Sequence, residues 1–207
     1  MTRLFNKIAA VLALAMSSAA IASAQSTPAY TAADVRFMQG MIGHHAQALA
    51  MTGLITERTT RQDIRLLGQR IEVSQKDEIK MMQQWLRDRQ QQIPAVDTHH
   101  AEAGHSMSMP GMAMSDTLMP GMLTAAQLAE LASAKGNAFD KLFLKDMIQH
   151  HEGALVMVAS LLGTTGSAQE PEVFRFAAEV DTDQRAEIAR MNMLLDKLGA
   201  PGADPSR

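Results

Sequence analysis

Asp34-Val35-Arg36-Phe37-Met38-Gln39-Gly40-Met41-Ile42-Gly43-His44-His45 returns 106 residues later as Asp140-Lys141-Leu142-Phe143-Leu144-Lys145-Asp146-Met147-Ile148-Gln149-His150-His151. Asp, Phe, Met, Ile and both histidines keep their places, and the match runs on through Ala48/Ala154, Leu49/Leu155 and Met51/Met157. A second match, at an offset of 109, pairs Gln75/Gln184, Glu78/Glu187, Ile79/Ile188 and Met82/Met191. The change of offset puts three extra residues in the connection of the second copy. The chain therefore holds one structural unit twice.

Spacing identifies that unit. Phe37, Met41, His44, Ala48, Met51 and Ile55 recur every three or four residues, the stripe of one α-helical face. Thr31 and Asp34 are spaced as a capping box at its start. Ile64, Leu67, Ile71, Gln75, Glu78, Met82 and Trp85 mark a second helix that begins near Thr60 and stops before Pro94. Phe143 to Leu162 repeats the first helix, and the last runs from Pro171 to Gly199 and Pro201. Thr124-Ala125-Ala126-Gln127 opens a short additional helix that should break at Gly136. Aromatics at 4% and abundant helix formers agree with an all-α protein.

Neither helical pair can bury its stripe alone, and each buried large apolar side chain stabilises by about 1.5–3 kcal/mol. Two hairpins, residues 25–96 and 124–207 with a short C-terminal tail, are expected to pack as one ferritin-like four-helix bundle. The 27-residue segment 97–123 between them is too long for a tight turn. A coil of that length spans about 30 Å, enough to return along a bundle or to hang in solvent. Residues 1–24 have the charged, apolar and small-residue pattern of a cleaved secretory leader, with Arg3, Lys7 and Ala22-Ser23-Ala24. Its removal leaves 17 basic against 22 acidic residues, a charge of −5. That balance opposes nucleic-acid binding, and no later stretch looks like a membrane helix. An exported, periplasmic location is expected.

The chemistry lies in sulfur and imidazole. Cysteine is absent, so disulfides, thiolate sites and iron–sulfur clusters are excluded, yet the chain has 17 methionines. Met107, Met109, Met112, Met114, Met119 and Met122 crowd the linker just after His99, His100 and His105, where no core stripe explains them. Met109-Pro110-Gly111-Met112 and Met119-Pro120-Gly121-Met122 are one four-residue unit written twice. Pro then Gly at its centre favours a type II turn that brings two thioethers together. A thioether is soft and neutral, a poor ligand for hard cations and a good one for Cu(I), with imidazole as its companion.

On the repeated helix His44 and His45 lie three and four residues beyond Met41, with Met38 at the edge of the same arc. Met147, His150 and His151 repeat the arrangement, with Leu144 in place of Met38. Gln75, Glu78, Gln184 and Glu187 are polar residues within apolar stripes and need partners if buried. Either the carboxylates accept a proton from histidine and fix which nitrogen faces a metal, or they form a satisfied polar layer. A carboxylate-bridged di-iron enzyme needs Glu-x-x-His repeats. Here the positions three before the histidines are Met41, Ile42, Met147 and Ile148.

Phe-x-x-x-Met-Ile-x-His-His-x-x-Ala-Leu-x-Met, at 37–51 and 143–157, resembles the CopM-like family, number three hundred and five among the domains of unknown function. Gln-x-x-Glu-Ile-x-x-Met at 75–82 and 184–191 is similar to its second-helix signature. The resemblance covers about Thr31 to Leu198 and implies a ferritin-like bundle, export to the periplasm, and copper binding linked to copper tolerance. It marks Met41, His44, His45, Met147, His150 and His151 as ligand candidates. The expectation is a non-enzymatic protein that sequesters Cu(I) or hands it over, with copper ions and a periplasmic donor or efflux component as partners. A metal oxidase or reductase built in the bundle, and a metal-free interaction module, are the alternatives.

Overall fold

A computed structural model describes residues 30–95 and 118–199. The expected leader, the first Met-Pro-Gly-Met unit, and His105, Met107, Met109, Met112 and Met114 lie outside the described residues, as does the tail after Gly199.

The described residues fold into α1 (Ala32–Gly53), α2 (Ile55–Arg58), α3 (Gln62–Asp88), α4 (Ala125–Ser133), α5 (Gly136–Gly163) and α6 (Pro171–Gly199). The Thr31/Asp34 capping box forms, with the Thr31 hydroxyl accepting from the Asp34 N–H at 3.3 Å and Asp34 Oδ2 accepting from the Thr31 N–H at 2.6 Å. Thr124 and Gln127 cap α4 in the same way. The first stripe is interrupted one residue early: α1 ends at Gly53, and Ile55 belongs to the separate turn α2. Gly136 does not end α4, which stops at Ser133; it begins α5 with φ at +55°, a conformation glycine adopts without a Cβ clash.

Helices α1, α3, α5 and α6 form a four-helix bundle. One apolar cluster joins Phe37, Met38 and Met41 of α1 to Met82 and Trp85 of α3, Val158 and Leu161 of α5, and Val173 and Phe176 of α6. The other joins Ala48 and Met51 to Ile64 and Leu67, Phe143 and Met147, and Met191 and Leu194. The start of α1 thus lies beside the end of α5, so these helices are antiparallel, as are α1 and α3. Helices α3 and α5 consequently point the same way, and the chain between them has to return the length of the bundle. This is the single long crossover of ferritin-like folds.

The halves are also tied end to end. The buried Asp34 accepts the Ala168 N–H, from the α5–α6 connection, at 2.7 Å. Its repeat partner Asp140, also buried, lies 3.9 Å from Arg61 Nε in the opposite connection. Among the described residues, no helix is long and apolar enough to cross a membrane.

Candidate metal centre

The two apolar clusters are separated by a polar layer. Residues on one helical face three or four positions apart are neighbours, so the spacing that puts Met41 and Met147 in the core also buries the histidines that follow. His44, His45, His150 and His151 are at most 1% exposed. His44 and His150 meet across the pseudo-two-fold axis with ring centroids 3.9 Å apart and planes inclined by 37°. His45 and His151 flank them, with centroids 6.4 and 6.2 Å from their neighbours in sequence.

Each ring is held through Nε2. His45 Nε2 is bonded to Glu78 Oε2, and His151 Nε2 to Glu187 Oε2 at 2.5 Å. His44 Nε2 donates to the Pro120 carbonyl and His150 Nε2 to the His44 carbonyl, each at 3.0 Å. Carbonyls and carboxylates only accept, so the acceptors assign the ring proton to Nε2 in all four cases. All four Nδ1 atoms are buried without a hydrogen-bond partner. A proton there would be a stranded donor, so Nδ1 keeps its lone pair.

The electrostatics agree. Burial, reinforced by the neighbouring His45, lowers the His44 pKa to about 3. Burial also pushes His150 well below the ordinary histidine value, with His44 adding to the effect. Both rings are neutral at neutral pH. Burial acts to raise the Glu78 carboxyl, but hydrogen bonds from His45 and Ser74 outweigh it and leave the group below its ordinary range. Glu78 is therefore an ionised acceptor. Of the two readings open for the carboxylates, the structure shows histidine–carboxylate pairs.

Gln75 and Gln184 join the same layer, each buried with its side-chain oxygen unpartnered.

The second Met-Pro-Gly-Met unit docks on this layer. Met122 N–H donates to the Met119 carbonyl at 3.1 Å and Gly121 has φ of +74°, as a type II turn requires at its third residue. Gln47 grips the following backbone twice, accepting the Leu123 N–H at 2.7 Å and donating to its carbonyl at 3.0 Å. On the other side the turn rests on Gly153, where an added Cβ would come within 2.0 Å of the Pro120 oxygen. Met119 is half-buried, and a Cβ at Gly40 would sit 3.4 Å from its sulfur.

The structure thus brings together His44, His45, His150 and His151, with Met41 and Met147 fully buried one helical turn away and Met119 and Met122 in the docked turn. Met38 does not join them: it lines a separate surface pocket with Met81 and Met82. The sequence does not mark Gln47 and Gly153, because their role depends on where the linker lands. Among the described residues, no three His, Asp or Glu groups form a ready-made metal cage. Four buried imidazole nitrogens with free lone pairs suit a borderline or soft ion, with further donors from the neighbouring thioethers.

Comparisons with known proteins agree with this architecture. The chain is 29% identical to a DUF305 fragment from Deinococcus radiodurans, over 81% of this chain and 98% of that one, with a TM-score of 0.66. It is similar to CopM in the Cu(I)-bound form at 24% identity, over 81% and 98% of the two chains, with a TM-score of 0.59, a likeness of fold alone. For CopM in the Cu(II)-bound form the values are 26%, 79%, 95% and 0.57. No curated protein matches the sequence. The family model described as a domain of unknown function, DUF305, matches residues 34–195, so the chain belongs to the DUF305 family.

Proposed function

We propose that this chain is a periplasmic copper-binding protein that sequesters Cu(I) or passes it on, contributing to copper tolerance without catalytic turnover. One observation carries the reading: four buried imidazoles each have Nε2 engaged and Nδ1 left with an unpartnered lone pair. An apolar core gains nothing from four such acceptors, whereas soft metal ions bound jointly with the neighbouring thioethers would use them. Met41 and Met147 lie one helical turn from the histidines, and the linker sulfurs supply further capture sites. The solved copper-bound forms of CopM support the same reading.

The test is a titration of the purified protein with Cu(I) under reducing conditions, against a chromogenic chelator. Binding no tighter than that of a helical protein lacking His and Met would refute the proposal. Replacing His44/His45 and His150/His151 separately should each remove part of the binding. Oxygen consumption on adding Cu(I) would instead point to an oxidase.

A further inference from the structure

The pocket that takes Met38 away from the histidine layer is lined by Met38 of α1, Met81, Met82 and Trp85 of α3, and Glu172 and Phe176 of α6. Met38 lies seven residues before His45, about 10 Å along the helix. Met38 and Met82 are almost fully buried and Met81 is 46% exposed, so two thioethers form a dry floor and the third stands at the mouth.

The second half of the chain shows what the fold itself requires at this place. The repeat offsets match Met38 with Leu144, Met81 with Arg190, Met82 with Met191, Trp85 with Leu194, Glu172 with Asp63 and Phe176 with Leu67. Leu67, Leu144, Met191 and Leu194 are buried together in the second cluster. The same packing is therefore built with one methionine instead of three and with no tryptophan. Where Met81 reaches the mouth in the first half, the second half carries a built-in cation, Arg190. Core packing thus does not account for the sulfur trio.

We propose that Met38, Met81 and Met82 form a separate site for a soft monovalent cation, Cu(I) or Ag(I), beside Trp85. Three neutral thioethers suit such an ion, and Met side chains have the rotational freedom to converge on it. They do not neutralise its charge. Beside it two carboxylates, Glu170 and Glu172, share the single positive charge of Arg89, whose Nη2 bonds Glu170 and lies 3.0 Å from Glu172, which leaves one net negative charge at the rim. The guanidinium of Arg89 also lies 4.3 Å from the Trp85 ring centroid, fixing the indole as one wall. This site does not depend on metal binding by the histidines.

Trp85 is the sole tryptophan, so its fluorescence reports on this pocket. Silver(I) nitrate titrated into the full chain in chloride-free buffer should give a saturable change in emission. The double variant Met38→Leu/Met81→Arg, which copies the second half, should raise the silver concentration needed for that change by about tenfold or more while silver bound elsewhere is retained. Met81→Leu, at an exposed position, should shift the titration in the same direction and decides the matter if the double variant loses helicity. An unchanged titration in these variants, or no emission change in the parent, would overturn the site. A parent protein that binds silver at the Trp85 pocket and nowhere else would instead count against the histidine layer and leave this site standing.

Discussion

His44 and His150, 106 residues apart in sequence, meet as a tilted pair at the centre of the bundle with their ring centroids 3.9 Å apart, and the His150 ring donates to the His44 carbonyl at 3.0 Å. Two imidazoles this close in a dry core are favoured as neutral rings, because burial penalises a charge on either and two imidazolium rings would also repel each other with little solvent to screen them.

The metal-free protein should accordingly lose stability in mild acid. A histidine whose folded pKa lies below its unfolded value stabilises the fold above the unfolded value, and that contribution is lost as pH falls. For His44 the window runs from about 6.5 down to about 3, and His150 acts in the same direction. Each contributes up to about 1.4 kcal/mol per pH unit within its window. Asp146, raised to about 6 chiefly by burial, works the other way, becoming more favourable as pH falls through that value. Burial raises Asp140 and Asp183 in the same direction but by less, and the two histidine shifts remain the larger, so urea midpoints should fall between pH 6.5 and 4.5. A flat or rising profile would mean that the rings are not buried as neutral species.

The carboxylates should act through the histidines. In Glu78→Gln the amide can donate to Nε2 of His45, which moves the ring proton to Nδ1 and occupies the free lone pair. Loss of such a partner typically lowers metal affinity by about 10–100-fold. Cu(I) competition assays should show a drop of this order for Glu78→Gln and for Glu187→Gln, with nitrogen NMR reporting the changed tautomer. An unchanged affinity with a shifted tautomer would remove His45 or His151 from the ligand set.

Gly153→Ala tests the docking of the turn. Alanine gains up to about 1 kcal/mol in helix propensity over glycine. Its Cβ, however, would fall 2.0 Å from the Pro120 oxygen and 2.5 Å from the Gly121 Cα, both backbone atoms that cannot swing aside. Expelling the turn also strands His44 Nε2. The clash should win, with a net loss of about 1–3 kcal/mol in chemical denaturation. A stabilised variant would mean that the turn is not seated on α5.

Helices and pairing were legible in the sequence because a stripe such as Phe37–Met41–His44–Ala48 states both its period and its buried face. The return direction of residues 97–123 was not, since nothing in the linker reveals which ends of α1 and α5 meet. Glu78 and Glu187 stayed ambiguous for a related reason. A polar residue in a stripe looks the same whether it meets a histidine or reaches water, and only the register between helices decides. Angular position alone places Met38 with His44 and His45, whereas its pocket neighbours come from α3 and α6. The clue available was the comparison of halves, where Met81 faces no methionine but Arg190. The Met119–Met122 turn was readable from Pro120 and Gly121, but its seat on Gly153 was not.

That seat has a consequence for how the duplicated chain can be divided. Gln47 and Gly153 occupy equivalent positions in the two copies, yet one clasps the linker and the other clears space for it. A single strand lying on the axis cannot be met by two identical surfaces. A homodimer of either hairpin would present two clasps or two bare seats, so this arrangement requires two hairpins that differ at the equivalent position.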